Sequence, residues 1–484
     1  MERQIKLKNL TIIMLLAFIL CLGMAIMTDQ VFAQGSMATI NANGTICEVN
    51  DSEQWEEALE VIDDLSQDTW AEITLHSDIS ARVPELDKYR IKMTINLNGH
   101  TWTINDDTSM QTRSRITING DGGTITIADG VYPSGLFCVY GSKELVVENT
   151  NFVDCNCGKY PLFYLVGSSS DHAHIFFENC HFDGCSSTAY GGVIYGYYTS
   201  SIALNCCTFN SCHSKYGGVF YIEDSMYDGA PSSCTCDGSC EYGKSSFTNC
   251  SADYGGLAYL DCSGFDLGEN IDIESCSAKR GGAIYCDKNS AFVLSSYIDN
   301  IPSEVVVSYC TADECGGFCY SEGRFIITGG NGIRLTIHDC SAPKGGMLYM
   351  GDNSKAEIGR VRIYDCNADL GSIVYCDSYD NSEFLLESGE FTDSKQSYKD
   401  GELIYCENAI LKAYSRVKVF TDNSHTIYNG GSFNVEGIEM ISLDGKPLGS
   451  FLSGGSLWII VSVAVAALVA VAVVINKKKK GTTV

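Results

Sequence analysis

The sequence predicts an all-β chain wound as a parallel β-helix, with a capping helix before it and one membrane-spanning helix after it. Three observations carry this. A unit of about 26 residues recurs through the middle of the chain. Its apolar runs are only four to six residues long. The two ends have the composition of a secretory leader and of a membrane anchor.

The first 33 residues open with Arg3, Lys6 and Lys8, continue through an apolar run from Leu10 to Met27, and close on Val31-Phe32-Ala33. This is the pattern of a signal peptide cleaved after Ala33; the alternative is an uncleaved N-terminal anchor. From Ser52, Trp55, Ala58, Leu59 and Ile62 fall on one face of a helix with acids in its first turn, which suits a cap over an open coil end. Strand-like runs follow at 71–75, 93–97, 101–104 and 123–127, with the turn signal Asn98-Gly99 between two of them.

The repeat then becomes plain. Glycine pairs end at Gly192, Gly218, Gly256, Gly282, Gly317 and Gly346, and three residues after each stands Tyr195, Tyr221, Tyr259, Tyr285, Tyr320 or Tyr349. Tyr375 and Tyr405 continue the series behind Gly371-Ser372 and Gly401-Glu402. Successive tyrosines lie 26, 38, 26, 35, 29, 26 and 30 residues apart, so insertions fall between units. Five or six residues ahead of each pair's first glycine stands Cys185, Cys212, Cys250, Cys276, Cys310, Cys340 or Cys366, itself three residues after Phe, Ile or Val. Such a unit cannot bury its own apolar face, so units must stack. It is also too short for a propeller blade of about forty residues. About fourteen coils between residues 70 and 430, at ~4.8 Å each, make a rod of roughly 65 Å.

After Tyr428 the repeat fades, and Gly449–Ser456 reads as a juxtamembrane linker. Leu457 to Ile475 carries no charge, and at 1.5 Å per residue reaches roughly 28 Å, enough to span a hydrocarbon core. Trp458 and Lys477–Lys480 mark its two interfaces; a buried soluble helix is the alternative. The expected organisation is a signal peptide over 1–33, a cap region over 34–69, β-helix repeats over 70–435, a linker over 436–456, a transmembrane helix over 457–475 and a cytoplasmic tail over 476–484. That places the chain at the cell surface with its ectodomain outside.

The run Gly281-Gly282-Ala283-Ile284, with the repeated Phe-x-x-Cys half-motif, resembles the polymorphic outer membrane protein repeats of chlamydial surface proteins. The resemblance covers about residues 135–410. It implies a right-handed parallel β-helix of the pectin-lyase-like kind, serving as a surface passenger and often an adhesin. Two departures stand out. Cysteine mostly replaces the family's asparagine, and a single apolar helix stands where the family has an outer-membrane barrel, which puts an autotransporter mechanism in doubt.

Acids outnumber bases 60 to 32, and between residues 34 and 453 they do so 58 to 25, which excludes a basic groove for nucleic acid. The acidic face, with Asp261, Asp287, Asp313, Glu314 and Asp365, could hold Ca²⁺ weakly, but a charged solvated surface explains it more simply. No other cofactor is expected. The column cysteines read as a buried ladder, with stacked disulfides or a metal as alternatives. Cys234, Cys236 and Cys240, in a turn-rich insertion, read as a loop disulfide rather than a zinc site lacking its fourth ligand. Catalysis would need converging carboxylates. Asp63-Asp64 and Asp106-Asp107 fit a cap helix and a turn instead, Arg90-Ile91-Lys92 lacks the companions of a polygalacturonase site, and His172, His174 and His213 fit solvent-facing positions. The expectation is an adhesin or recognition protein without catalysis, presenting exposed tyrosines to glycans or surface proteins and using the insertions after Tyr221 and Tyr285. A polysaccharide lyase or hydrolase, and a structural spacer, are the alternatives.

Overall fold

A computed structural model describes residues 35–451, apart from 87–90, 142–143, 169–172, 225–232, 238–242, 269, 296–303, 330–333, 378–381, 393–401, 422–426, 431–432, 436–437 and 444. The expected signal peptide, membrane span and tail lie outside the described residues. Among the described residues no helix is long and apolar enough to cross a membrane.

Each coil contributes three short strands, as in Ala173–Glu178, His181–Asp183 and Ile194–Tyr197. Like strands of successive coils pair parallel and in register, so the chain climbs as a solenoid with three ladders. The first ladder joins fourteen strands from Trp70–Leu75 to Phe433–Val435. Its thirteen steps of ~4.8 Å place the end strands ~62 Å apart, in line with the coil number read from the repeat. The third ladder joins twelve strands from Met110–Thr112 to Ile427–Asn429. Alternation along each strand sends one set of side chains inward, where like residues stack. Phe152, Phe182, Phe209 and Phe247 form one such column, with ring centroids 4.9, 4.6 and 4.9 Å apart.

The half-motif ending in cysteine makes a one-residue corner. Asp154, Gly184, Ser211, Asn249, Ser275, Tyr309, Asp339 and Asp365 each precede a column cysteine, and all have φ between 50° and 65°. Asn, Asp, Gly and Ser tolerate this left-handed conformation because small or locally hydrogen-bonding side chains relieve the Cβ clash. Tyr309 is the exception: it is 51% exposed, and its ring meets His338 edge-on at 5.7 Å. Replacing Tyr309 with Asn is expected to raise stability by about 0.5 kcal/mol or more, read from the denaturation midpoint.

The glycine pair makes the second corner. Gly281 adopts φ +62°, while a Cβ on Gly282 would lie 2.0 Å from the Gly317 carbonyl oxygen of the next coil. The first glycine is needed for its backbone angle and the second for the closeness of the coils. At Ser372 the second glycine is replaced, and its side chain is buried.

Both ends are closed by antiparallel pairs. Ala38–Ala42 pairs with Thr45–Val49 and with Trp70–Leu75. The predicted helix, Ser52–Asp63, lies behind this hairpin with Trp55, Ala58, Leu59 and Ile62 buried, and Asp51 caps it by accepting from Gln54 N at 2.9 Å. Trp55 meets Trp102 edge-on at 5.4 Å, and each indole N–H reaches a backbone carbonyl. At the far end Ile438–Ile441 pairs antiparallel with Pro447–Phe451. This corrects the expected linker over 436–456: its described part, as far as 451, holds this antiparallel pair, which covers the end of the second ladder, with Gly445 at φ +84° between the two strands.

The insertion after Tyr221 also departs from expectation. Ser233–Asp237 is a strand of the first ladder, with Cys236 opposite Ile202 and Leu267 and Cys234 opposite Phe265. The coil needs a strand at this level, and the insertion supplies it, so Cys234 and Cys236 hold ladder positions rather than a loop. Cys240 lies outside the described residues. Cys206, in the corner after Thr199–Asn205, is disulfide-bonded.

Candidate recognition face

Ten of the third ladder's twelve strands carry a tyrosine at the outward position; the first two carry Gln111 and Cys138 there. Tyr164, Tyr195, Tyr221, Tyr259, Tyr285, Tyr320, Tyr349, Tyr375, Tyr405 and Tyr428 are partners in register from coil to coil. Their rings stack with centroids 4.7–5.5 Å apart and planes within 1–26° of parallel. The tyrosines spaced by the repeat thus stand in one column, and the spacing did not reveal how that column is presented. Ring faces inside the stack are covered by neighbouring rings, and Tyr195, Tyr221, Tyr320 and Tyr375 are only 1–7% exposed. A sugar cannot lie flat on an interior ring; only the rim and the phenol oxygen are offered. This corrects the expectation of exposed tyrosine faces. Tyr428, last in the column, is 46% exposed.

Two residues beyond six of these tyrosines runs a second column, of carboxylates: Glu223, Asp261, Asp287, Glu322, Asp377 and Glu407. The phenols donate to it. Tyr221 reaches Asp261 at 2.8 Å, Tyr349 reaches Asp377 at 2.9 Å, Tyr375 reaches Glu407 at 3.2 Å, and Tyr195 reaches Glu223, each acceptor lying one coil on. Tyr320 donates within its own coil to Glu322 at 2.6 Å. Burial, reinforced by the neighbouring carboxylates or phenols, raises the ionisation of Tyr195, Tyr221, Tyr259 and Tyr349 well above that of free tyrosine. Burial also holds Glu223 and Asp287 above the usual carboxylate range.

On the opposite flank Tyr160, Tyr190, Tyr216 and Tyr254 form a shorter stack at 5.6–5.9 Å. Cations lie over both stacks: Lys159 on Tyr160 at 4.9 Å, Lys215 on Tyr216 at 5.0 Å, Arg280 on Tyr320 at 5.8 Å and Lys344 on Tyr375 at 4.7 Å. The face thus runs from a basic edge, across phenol rims, to an acidic stripe.

Of the expected acidic residues, Asp261 and Asp287 come together with Cys262, their ligand atoms within 4.8 Å of one another. Asp287 Oδ1 already accepts from Ser290, from Asn289 N at 3.1 Å and from Cys262 N at 3.3 Å, and Asp261 accepts from Tyr221. Two engaged carboxylates and a thiol fall well short of the six to eight oxygens calcium prefers. Asp313, Glu314 and Asp365 are exposed elsewhere, with Glu314 paired to Arg280. Asp106 accepts from Thr108 N in a turn at 2.8 Å, and His174 and His213 are exposed; Arg90 and His172 lie outside the described residues.

The predicted cysteine column lies inside, against the phenylalanine column, and its seven members are buried free thiols. An eighth, Cys155, was missed because Pro161 stands where its coil should carry the glycine pair; Phe152-Val153-Asp154-Cys155 was the available signal. Sulfurs of Cys155, Cys185, Cys212, Cys250 and Cys276 lie 3.4–4.0 Å from a backbone carbonyl one coil back. Burial raises the thiols of Cys155, Cys212 and Cys340 well above their ordinary range, whereas at Cys185, Cys250 and Cys310 side-chain hydrogen bonds from the flanking thiols outweigh burial and lower them, so the column alternates in acidity from coil to coil. Comparison with family models, with curated proteins and with solved structures finds no match to this chain, and its function has to be read from the face itself.

Proposed function

We propose that the chain is a membrane-anchored surface protein whose solenoid, a right-handed parallel β-helix, presents the tyrosine–carboxylate face to a ligand on another surface. The in-register phenol and carboxylate columns carry this reading. They lie on the outward side of the third ladder, and stacking like charges costs stability that a core role would not require. Right-handed winding is supported by the twist rule for parallel crossover connections and by the resemblance to surface-protein repeats. Because ring faces are covered, the preferred ligand is a surface protein or glycan offering hydrogen-bond donors and positive charge.

The test is retention of purified residues 34–453 on a panel of cells, matrix proteins and polysaccharides. Asp261→Asn with Asp377→Asn keeps both phenol acceptors but removes two charges of the stripe. It is expected to weaken retention about tenfold, equivalent to ~1.4 kcal/mol. Retention unchanged by the double substitution, or absent on every surface, counts against the reading. A second reading, glycan cleavage, is favoured by the convergence of Asp261 and Asp287 with burial holding Asp287 above the usual range, the kind of pairing a general acid needs. New chain ends in the same wells, lost with Asp287→Asn, would establish it.

A further inference from the structure

The eight column cysteines form an uninterrupted file. Each is bracketed by in-register pairing with the neighbouring coils, a ladder strand ending two residues before it and a parallel bridge at the residue after it, from Asn156–Ser186 through Ser186–His213, His213–Ser251, Ser251–Ser277, Ser277–Thr311 and Thr311–Ser341 to Ser341–Asn367, so the file runs coil by coil from Cys155 to Cys366. Strand register places their Cα atoms ~4.8 Å apart, inside the 4.4–6.8 Å that a disulfide spans. Closing a bond asks the Cβ atoms of neighbours to approach by about 0.3 Å, from the ladder spacing to the upper end of disulfide geometry. A line of eight has a single complete nearest-neighbour pairing.

We propose that the file is a covalent cross-linking site: Cys155–Cys185, Cys212–Cys250, Cys276–Cys310 and Cys340–Cys366 close as disulfides that staple successive coils. The proposal rests on the reading that the chain enters an oxidising compartment. The oxidant is a small disulfide of the glutathione class. The thiolate of Cys185 attacks one glutathione sulfur and releases one glutathione thiolate. The thiolate of Cys155 then attacks the Cys185 sulfur and releases the second, so two electrons and two protons pass to glutathione for each link. In the folded solenoid these thiols are 0–2% exposed, out of reach of a glutathione disulfide. The links therefore form while coils are stacking, and the finished rod shields them from reductant.

The experiment refolds the full-length chain with a glutathione–glutathione disulfide buffer, and separately with reductant alone. Each sample is denatured without reduction and alkylated, and its peptides are mapped by mass spectrometry. The expected result is four cross-coil links with all eight thiols protected after oxidative refolding, and eight alkylated thiols after reductive refolding. Folded protein whose eight thiols all alkylate after oxidative refolding would overturn the proposal, as would links between non-neighbours. Cys250→Ala provides a sharper arm: Cys212 alone should become alkylatable while the other three links persist. If that variant does not fold, the wild-type map decides. Material isolated from producing cells separates the two readings. Links that form in vitro but are absent from cells would uphold the site and overturn the compartment, whereas their absence in both overturns the site.

Discussion

Gly282→Ala is expected to leave no stably folded protein. The added methyl would stand 2.0 Å from the Gly317 oxygen, 2.6 Å from Thr311 O and 2.8 Å from Thr311 N, all backbone atoms of the next coil. No rotamer change relieves a clash with backbone, so the coils must separate and give up parallel hydrogen bonds and packing on both sides. A loss of more than about 4 kcal/mol is expected, against a total stability of roughly 5–15 kcal/mol for a folded domain. The measurement is circular dichroism and denaturant unfolding beside Gly44→Ala. Gly44 also has positive φ, +94°, but meets nothing within 4 Å, so its replacement should cost only about 1 kcal/mol. Similar losses from both variants would mean that closeness between coils is not what the second glycine provides.

Alkali should unfold the solenoid cooperatively. Tyr195, Tyr221, Tyr259, Tyr285, Tyr320, Tyr349 and Tyr375 all ionise above the ordinary range in the folded chain, burial being the first cause in each. A group whose folded pKa is raised contributes stability that is complete below its unfolded value, ~10 for tyrosine, and lost as pH climbs through the folded value. Each such group can contribute up to ~1.4 kcal/mol per pH unit. Seven of them, cut to about a third for solvent screening, still remove on the order of 3 kcal/mol per unit above pH ~10. Tyrosinate absorbance and loss of strand ellipticity should therefore rise together, above the pH at which free tyrosine titrates. Absorbance that follows the free amino acid while ellipticity stays intact would show the phenols to be open to solvent. Tyr259→Phe keeps the ring stack and should make the transition less steep by one group.

Much of this architecture was legible because the solenoid repeats its physics. Every corner needs the same left-handed residue and every coil the same close approach, so Phe-x-x-Cys and Gly-Gly-x-Φ-Tyr recur wherever a coil closes. Features that occur once left no periodic trace. The strand Ser233–Asp237 has the Ser and Cys content of a turn, and register with Ile202 and Leu267 makes it a strand. The hairpin strand Thr45–Val49 is largely exposed up to Val49 and shows no apolar alternation, and Pro447–Phe451 opens with the proline and glycine of a linker. The tyrosine column could be read from spacing, but the carboxylate column beside it could not. Its members follow the tyrosines by two residues under two residue names, and their alliance with the phenols is a contact between coils. The orientation of the rings was likewise hidden, since sequence gives the distance between tyrosines and not the direction of their faces.

The antiparallel hairpins at the two ends decide how long the object can grow. A parallel ladder ends in a row of unpaired peptide groups that matches the opposite end of any second copy, and such head-to-tail matching does not close on itself. Ala38–Ala42 and Pro447–Phe451 run against the strands they cover, so the surface each end presents no longer continues the parallel register. At the start of the first ladder and the end of the second, a further copy could therefore not add in the parallel register, so these hairpins oppose head-to-tail growth of the rod.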